Sequence, residues 1–126
     1  MKRILVIGGG MAGSIVANGL ARKLNTELNN GTTEITVISA TDKHLYQPGL
    51  LYLTFGRVTE SELIRDQRSI LDKRIKFHVD PATKIDADAK KVTTQSGKTH
   101  ECDYMVIATG SRLVPETVPG LAEGAH

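Results

Sequence analysis

Ile4–Ile7 is an unbroken apolar run, rich in β-branched residues, that stops abruptly at Gly8. A run apolar at every position has the composition of a strand buried on both faces of a parallel sheet. From about Met11 the pattern changes to helical spacing, with Ile15, Val16, Leu20 and Leu24. Gly8, Gly10 and Gly13 lie at the change, a G-x-G-x-x-G that follows a strand and opens a helix. Each glycine answers a different demand. Gly8 allows a tight turn, Gly10 allows backbone to approach a diphosphate, and Gly13 allows helix and strand to pack closely. The free N–H groups of the first helical turn and the positive end of its dipole would hold that diphosphate. Ala17, one turn past Gly13, is small enough to extend the close packing. Strand, glycine turn and helix in this order point to a dinucleotide site, against the plainer alternative of a structural βα turn.

The first helix is predicted over Met11–Leu28, with Arg22 and Lys23 in its later part and Asn29-Asn30-Gly31 ending it. Glu34–Ser39 reads as a second parallel strand, which closes a βαβ unit, the first half of a Rossmann-type fold. The usual fingerprint also places an acid at the end of that strand to bind a ribose hydroxyl. Ser39 stands there instead, and Glu34 lies at the wrong end of the strand. The Ser39 hydroxyl could bond a ribose, with Asp42 or Lys43 nearby.

Thr41–Gly56 is too long for a simple βα connection and is rich in aromatic and aliphatic groups. Long loops at the C-terminal ends of parallel strands are where α/β folds place ligand contacts. Pro48-Gly49 marks a turn, and Leu50–Phe55 reads as a short helix or an apolar wall. Core packing is an equal alternative for Tyr46, Tyr52 and Phe55, and a satisfied surface role is the plainer reading of His44. Thr59 and Glu62 form a capping box, so a helix is expected to begin there with Leu63, Ile64, Ile70 and Leu71 as its apolar stripe. Arg65, Arg68, Lys73 and Arg74 would then form its solvated face. Ile75–Val79 is a further strand, apolar at alternate positions. Ala82–Glu101 turns polar and alternating, broken at Asp86–Lys90 and Ser96-Gly97, and predicts an antiparallel meander. Its lysines 84, 90, 91 and 98 read as solvent-facing charges, and Cys102 as a small buried residue. Tyr104–Ala108 is expected to be a buried strand that ends at Thr109-Gly110, at the same sheet edge as the glycine turn. The Pro/Gly-punctuated stretch after Leu113 carries no strand or helix signal and reads as a connection.

A chain of 126 residues is one modest domain. Its 16 basic and 14 acidic residues leave a net charge of +2, which argues for neither nucleic acid nor an acidic membrane surface as the main partner. The single cysteine rules out an intrachain disulfide and a multi-cysteine metal site. A strand starting this close to Met1 leaves no room for a cleavable leader, and no stretch approaches the ~18 apolar residues of a membrane span. A cytoplasmic location is the default expectation.

Three stretches together resemble the FAD domain of two-dinucleotide-binding flavoproteins, the pyridine nucleotide-disulfide oxidoreductases that include disulfide reductases and type II NADH dehydrogenases. They are Gly8–Gly13 after its strand, the meander at Ala82–Glu101, and Tyr104–Gly110 ending in Ala-Thr-Gly. Within that family, Ile38–His44 followed by Tyr46-Gln47-Pro48-Gly49-Leu50 is similar to the sulfide:quinone oxidoreductase branch, whose members tend to end the second strand in serine. The resemblance implies an α/β, Rossmann-like FAD/NAD(P)-binding fold with an inserted antiparallel meander, truncated relative to such an enzyme. Residues 1–112 would be the N-terminal part of the FAD-binding domain, and 113–126 a connection toward a second domain. FAD is the implied cofactor. Gly8, Gly10, Met11, Ala12 and Gly13 would contact its diphosphate. Ser39 and Ala40 would lie at the adenosine ribose with Lys43 and His44 close by, and Val79 would bond the adenine through its backbone. Ala108, Thr109 and Gly110 would run along the cofactor, and Pro48 would lie in the loop near the flavin.

The implied enzyme oxidises sulfide, passes electrons through FAD to a quinone, and sits peripherally on a membrane through its C-terminal part. No catalytic or metal-ligating residue is implied within this segment, since the branch's redox cysteines do not map to Cys102. The segment alone is therefore expected to be inactive and to self-associate through an exposed sheet edge. A segment of a type II NADH:quinone dehydrogenase is the alternative within the family, and a non-catalytic nucleotide-binding module the alternative outside it.

Overall fold

A computed structural model describes residues 1–124. Its centre is a four-stranded parallel sheet made from β1 (Lys2–Ile7), β2 (Thr33–Ser39), β5 (Lys76–Val79) and β9 (Tyr104–Ile107), in the order β5-β2-β1-β9. Within the continuous apolar run of β1, side chains alternate between faces. Ile4 and Val6 join Ile35, Val37, Phe77, Ala17 and Ala21 in a core under the first helix. Leu5 and Ile7 join Ile38, Val92 and Cys102 in a second core under the meander. Both faces are covered, which is why neither alternation of β1 is polar. The meander itself is β6 (Ala82–Asp86), β7 (Lys91–Thr94) and β8 (Thr99–Glu101), antiparallel as expected. It turns at Gly97, whose φ of +83° is glycine territory. Cys102 is buried as expected.

The structure departs from the sequence reading in five places. The first helix is not continuous over Met11–Leu28. It divides at Leu24 (φ −100°, ψ 33°) into α1 (Met11–Lys23) and α2 (Asn25–Asn29). The Arg74 guanidinium enters there, donating to the Ala21 carbonyl at 3.3 Å and to Asn25 Oδ1 at 2.6 Å. A side chain inserted into the helical ladder is a recognised cause of such a break. The capping box at Thr59 is present, but the helix it opens, α4, covers only Glu60–Leu63. Ile64–Asp66 is instead a strand, β4, that pairs antiparallel with β3 (Lys43–Leu45), and a separate turn of helix, α5, follows at Gln67–Ile70.

The basic residues here are consequently not a uniform solvated face. Arg68 donates to the Phe77 carbonyl at 2.7 Å and lies 5.2 Å from the centre of its ring, while Arg74 pairs with Asp72. Leu50–Thr54 is the short helix α3, but Tyr46, Tyr52 and Phe55 are all at least half exposed, which removes their core alternative. β9 is an edge strand with Tyr104 and Ile107 exposed, rather than a buried one, because nothing among the described residues pairs with its outer side. The stretch after Leu113 holds a 3-10 turn at Pro115–Thr117 and a last turn of helix, α6 (Leu121–Gly124), all exposed. Residues 125 and 126 of the expected connection lie outside the described residues.

A candidate dinucleotide cleft

The C-terminal ends of β1, β2 and β9 open onto one cleft of about 550 Å³. Its floor is the turn Gly8–Gly10, and the glycines there are fixed by what surrounds them. Gly8 has φ +106°, and a Cβ on it would come within 2.2 Å of the Ala108 carbonyl oxygen. Gly13 lies on α1 so close to the turn that a Cβ would stand 1.9 Å from the Gly8 oxygen. A Cβ on Gly10 would meet nothing within 4 Å, because that position faces the open cleft. Gly9 belongs to no motif, yet a Cβ there would press on Ser39 Oγ at 2.8 Å and on the Gln67 carboxamide at 3.3 Å. Ser39 and Gln67 reach the turn only because residue 9 has no side chain.

Gly10 is the N-cap of α1. No side chain caps it, and the first turn carries no acid. The first free intrahelical donor to find a partner is Ser14 N, bonded to the Gly10 oxygen at 3.0 Å. The amide groups before it are left for an external acceptor. Among the described residues the cleft is lined by no carboxylate and by one lysine, Lys43. The nearest acid of the β5 end, Asp80, is committed elsewhere: Ser96 donates to it through both its backbone N–H (3.1 Å) and its hydroxyl, and hydrogen bonds from Ser96 and Thr94 hold its carboxyl below the usual range. Open helical donors, one cation and no carboxylate make a site for an anion.

Of the expected residues, Gly8, Gly10, Met11, Ala12, Ser39, Ala40, Lys43, His44, Ala108, Thr109 and Gly110 come together along this cleft. Gly13 lies behind it against Gly8, a packing position rather than a wall. Pro48 and Val79 do not line it. Val79 is paired with Ser39 at the ends of β5 and β2, and Asp80 N, one residue on, bonds the Ser39 oxygen at 2.8 Å. Gly9, Gln67 and Ser14 were not singled out by sequence. The triplet Gly8-Gly9-Gly10 was the only signal for the first, since its middle glycine serves no G-x-G-x-x-G demand.

A family profile for pyridine nucleotide-disulphide oxidoreductases matches residues 2–126. The chain belongs to that family. FAD is the cofactor of these oxidoreductases, and the sheet, glycine turn and meander described above are their Rossmann-like dinucleotide fold. Among relatives, a sulfide-quinone reductase of Aquifex aeolicus is 40% identical over 114 residues, 90% of this chain and 25% of that protein. A type II NADH:quinone oxidoreductase of Staphylococcus aureus is 33% identical over 117 residues, 92% of this chain and 27% of that protein. The crystal structure of the sulfide:quinone oxidoreductase from Aquifex aeolicus superposes with a TM-score of 0.77 at 34% identity, over 90% of this chain and 25% of that one. The chain thus spans about a quarter of the length of these relatives. Among the described residues no helix is long and apolar enough to cross a membrane.

The cleft fits the family's cofactor on its own geometry. The uncapped helix end and the exposed backbone of Gly10 suit a diphosphate, and the Ser39 hydroxyl stands where the fingerprint wants a ribose partner.

Proposed function

We propose that this chain is the adenosine-diphosphate half of the FAD site in a flavoenzyme that oxidises sulfide and delivers the electrons to a quinone. The observation that carries the cofactor half is the uncapped N-terminus of α1 above Gly8–Gly13, in a cleft with one cation and no carboxylate. Backbone amides of Met11, Ala12 and Gly13 would hold the diphosphate, Ser39 and Ala40 the ribose, and Lys43 would offset the charge. His44 would lie close to the ribose beside Lys43, Pro48 and Val79 would border the cofactor outside this cradle, and Ala108–Gly110 would run beside it. FAD supplies two-electron redox chemistry when bound, while the residues here would bind and orient it. Sulfide as donor and quinone as acceptor are supported by the 40% identity to the Aquifex protein and by the serine that ends β2.

The same cradle also fits a type II NADH:quinone dehydrogenase, which the Staphylococcus relative favours. Residues 1–112 act in either case as part of the FAD domain, with 113–126 leading out of it. Any membrane contact is peripheral and made outside this segment. The unpaired side of β9 would favour self-association of the isolated segment.

An FAD titration of the purified chain, followed by flavin fluorescence with size-exclusion chromatography alongside, tests the cofactor half. Saturable micromolar binding that ADP competes away supports it, and absence of binding to FAD, ADP and NAD alike overturns it. Anaerobic reduction of flavin in a longer polypeptide containing this segment, by sulfide but not by NADH, separates the two donors.

A further inference from the structure

Beneath the glycine turn lies a closed ring of hydrogen bonds that no cofactor contact requires. Gln67 is fully buried, although it starts only the one-turn helix α5. Its Nε2 donates to Ser14 Oγ at 2.8 Å, and its Oε1 lies 3.1 Å from His44 Nδ1. Ser14 Oγ in turn donates to the Gly9 carbonyl at 3.1 Å, and His44 Nδ1 lies 3.2 Å from that same oxygen. Two remote pieces of chain therefore converge on one carbonyl of the turn, α1 through Ser14 and β3 through His44, and a third, α5, ties the two together through Gln67.

The ring has only one consistent polarity. The Gly9 oxygen can only accept, so it takes protons from Ser14 and from His44. Ser14 has then spent its proton and must accept from Gln67 Nε2, which turns Gln67 Oε1 toward His44. Reversing the Gln67 amide would point its NH₂ at His44 Nδ1 and its oxygen at Ser14. The Gly9 carbonyl would then face two lone pairs with no donor, a costly state for a buried group. The polarity fixes the neutral His44 as the Nδ1–H form and leaves Nε2 with a lone pair, its one other polar atom on a side chain that lines the cleft.

We infer that Gln67 is a positioning residue of the dinucleotide site, holding the Gly9 peptide and the His44 tautomer so that the helix amides face the diphosphate and His44 offers an acceptor to a sugar hydroxyl. This rests on reading the cleft as a dinucleotide site. An acceptor at that point suits the hydroxyl of an unmodified ribose and repels a 2′-phosphate, so the site selects FAD and NAD-type adenosine over 2′-phosphorylated adenosine.

The test uses the whole 126-residue chain with Gln67→Leu, which keeps volume and removes both bonds, and Gln67→Glu, which keeps the acceptor toward His44. Two readouts need no ligand. In the parent, ¹⁵N chemical shifts should report His44 as Nδ1–H, and amide exchange should be slow at Gly8 and Ser14, whose N–H groups bond the Ile38 and Gly10 carbonyls on either side of the turn. In Gln67→Leu exchange at those amides should rise at least tenfold while β2 and β7 amides stay protected, and Gln67→Glu should recover part of the difference. The third readout is affinity for ADP and for 2′-phospho-ADP. The parent should prefer ADP by about tenfold or more, and Gln67→Leu should lose about tenfold in ADP affinity. If the Leu variant fails to fold, Ser14→Ala opens the same ring from the opposite side and should show the same exchange pattern.

An Nε2–H His44 in the parent, or turn exchange and ADP affinity unchanged in Gln67→Leu, overturns the inference. A parent with the stated tautomer and slow exchange but no affinity for either nucleotide would sink the cofactor reading and leave the clamp standing.

Discussion

Gly13→Ala separates the packing role of the glycine turn from its binding role. The new Cβ would lie 1.9 Å from the Gly8 oxygen and 3.4 Å from Val6 Cγ1. Carbon–oxygen contacts in proteins close at about 3.3 Å, so helix and turn must part by roughly 1.4 Å. The first clash is with backbone, which no side-chain rotation relieves. Parting there lifts Ala17 and Ala21, both 0% exposed, from their seat on β1 and β2. Overpacking of this kind costs about 1–3 kcal/mol, and the better helix propensity of alanine returns up to about 1 kcal/mol. Because the displacement loosens a whole helix face, the net loss should be about 2 kcal/mol. For a domain of this length that is a fall in Tm of roughly 8 °C. Gly10→Ala is the contrast. Its φ of −69° and ψ of −167° suit alanine, and its Cβ enters open space. That variant should lose under about 1 kcal/mol of stability, the modest difference between N-cap residues, yet bind FAD or ADP at least tenfold more weakly. Urea unfolding followed by circular dichroism, with nucleotide titration on the same samples, reads both quantities. A Gly13→Ala chain within about 0.5 kcal/mol of the parent would refute the argument from close approach. So would a Gly10→Ala chain with undiminished affinity.

Three further outcomes follow from titratable groups. His78 and His100 have rings 5.4 Å apart between β5 and the meander, and His100 Nε2 is buried without a partner among the described residues. Burial first, then the Lys98 charge, pushes both below the ordinary histidine value; for His78, Arg68 and Lys76 add to this, while Asp80 opposes it in both. The unfolded chain takes up protons near pH ~6.5 that the native state refuses. Stability should therefore be level above about pH 7 and fall as pH drops below about 6.5, and His100→Gln should flatten that slope in urea midpoints measured from pH 5 to 8. Asp72, held down to about 2 by its hydrogen bonds with Arg74, acts in a separate window, its contribution being lost only as pH falls below about 4. Burial raises the Cys102 thiol, which also donates to the Lys90 carbonyl at 3.4 Å. It should react with an aromatic disulfide reagent slowly in the native chain and at once in denaturant, and equal rates would show the meander core to be open.

The parts of the fold legible in the sequence were those whose cause is local. Ile4–Ile7 needed only its own composition, and Gly8, Gly10 and Gly13 only their spacing. Glu34–Ser39, Ile75–Val79 and the meander followed from periodicity and the Ser96-Gly97 turn. Within residues 41–74 the capping box at Thr59 and the short helix at Leu50 were legible, but the strand pair was not, because its order is tertiary. A three-residue strand at Lys43–Leu45 exists only because Ile64–Asp66 pairs with it, and three residues carry no period. Leu63, Ile64, Ile70 and Leu71 fell at helical spacing although a strand separates them. Arg74 looked like a surface charge, and its real partners, Asp72, Asn25 and the Ala21 carbonyl, include two from the far side of the fold. Tyr104–Ile107 has the composition of a doubly covered strand and an edge position. Most of the candidate cleft was foreseen for the same reason that the sheet was. Gln67 was not, because a polar residue after a polar run gives no sign that it will be wholly buried.

The placement of β9 also sets when the second flank of β1 can be closed on the ribosome. β1 can pair with β2 once residue 39 has emerged, but its other neighbour ends at Ile107, roughly seventy residues later. At about 5–20 residues per second, synthesis leaves that flank of β1 waiting for roughly 4–14 s. Ala108 N closes onto the Ile7 oxygen at 2.8 Å only at the end of this interval, and its carbonyl is what crowds Gly8. β9 therefore closes this flank of β1 and one wall of the nucleotide cleft together, so a nascent chain lacks that wall of the site until the strand is in place.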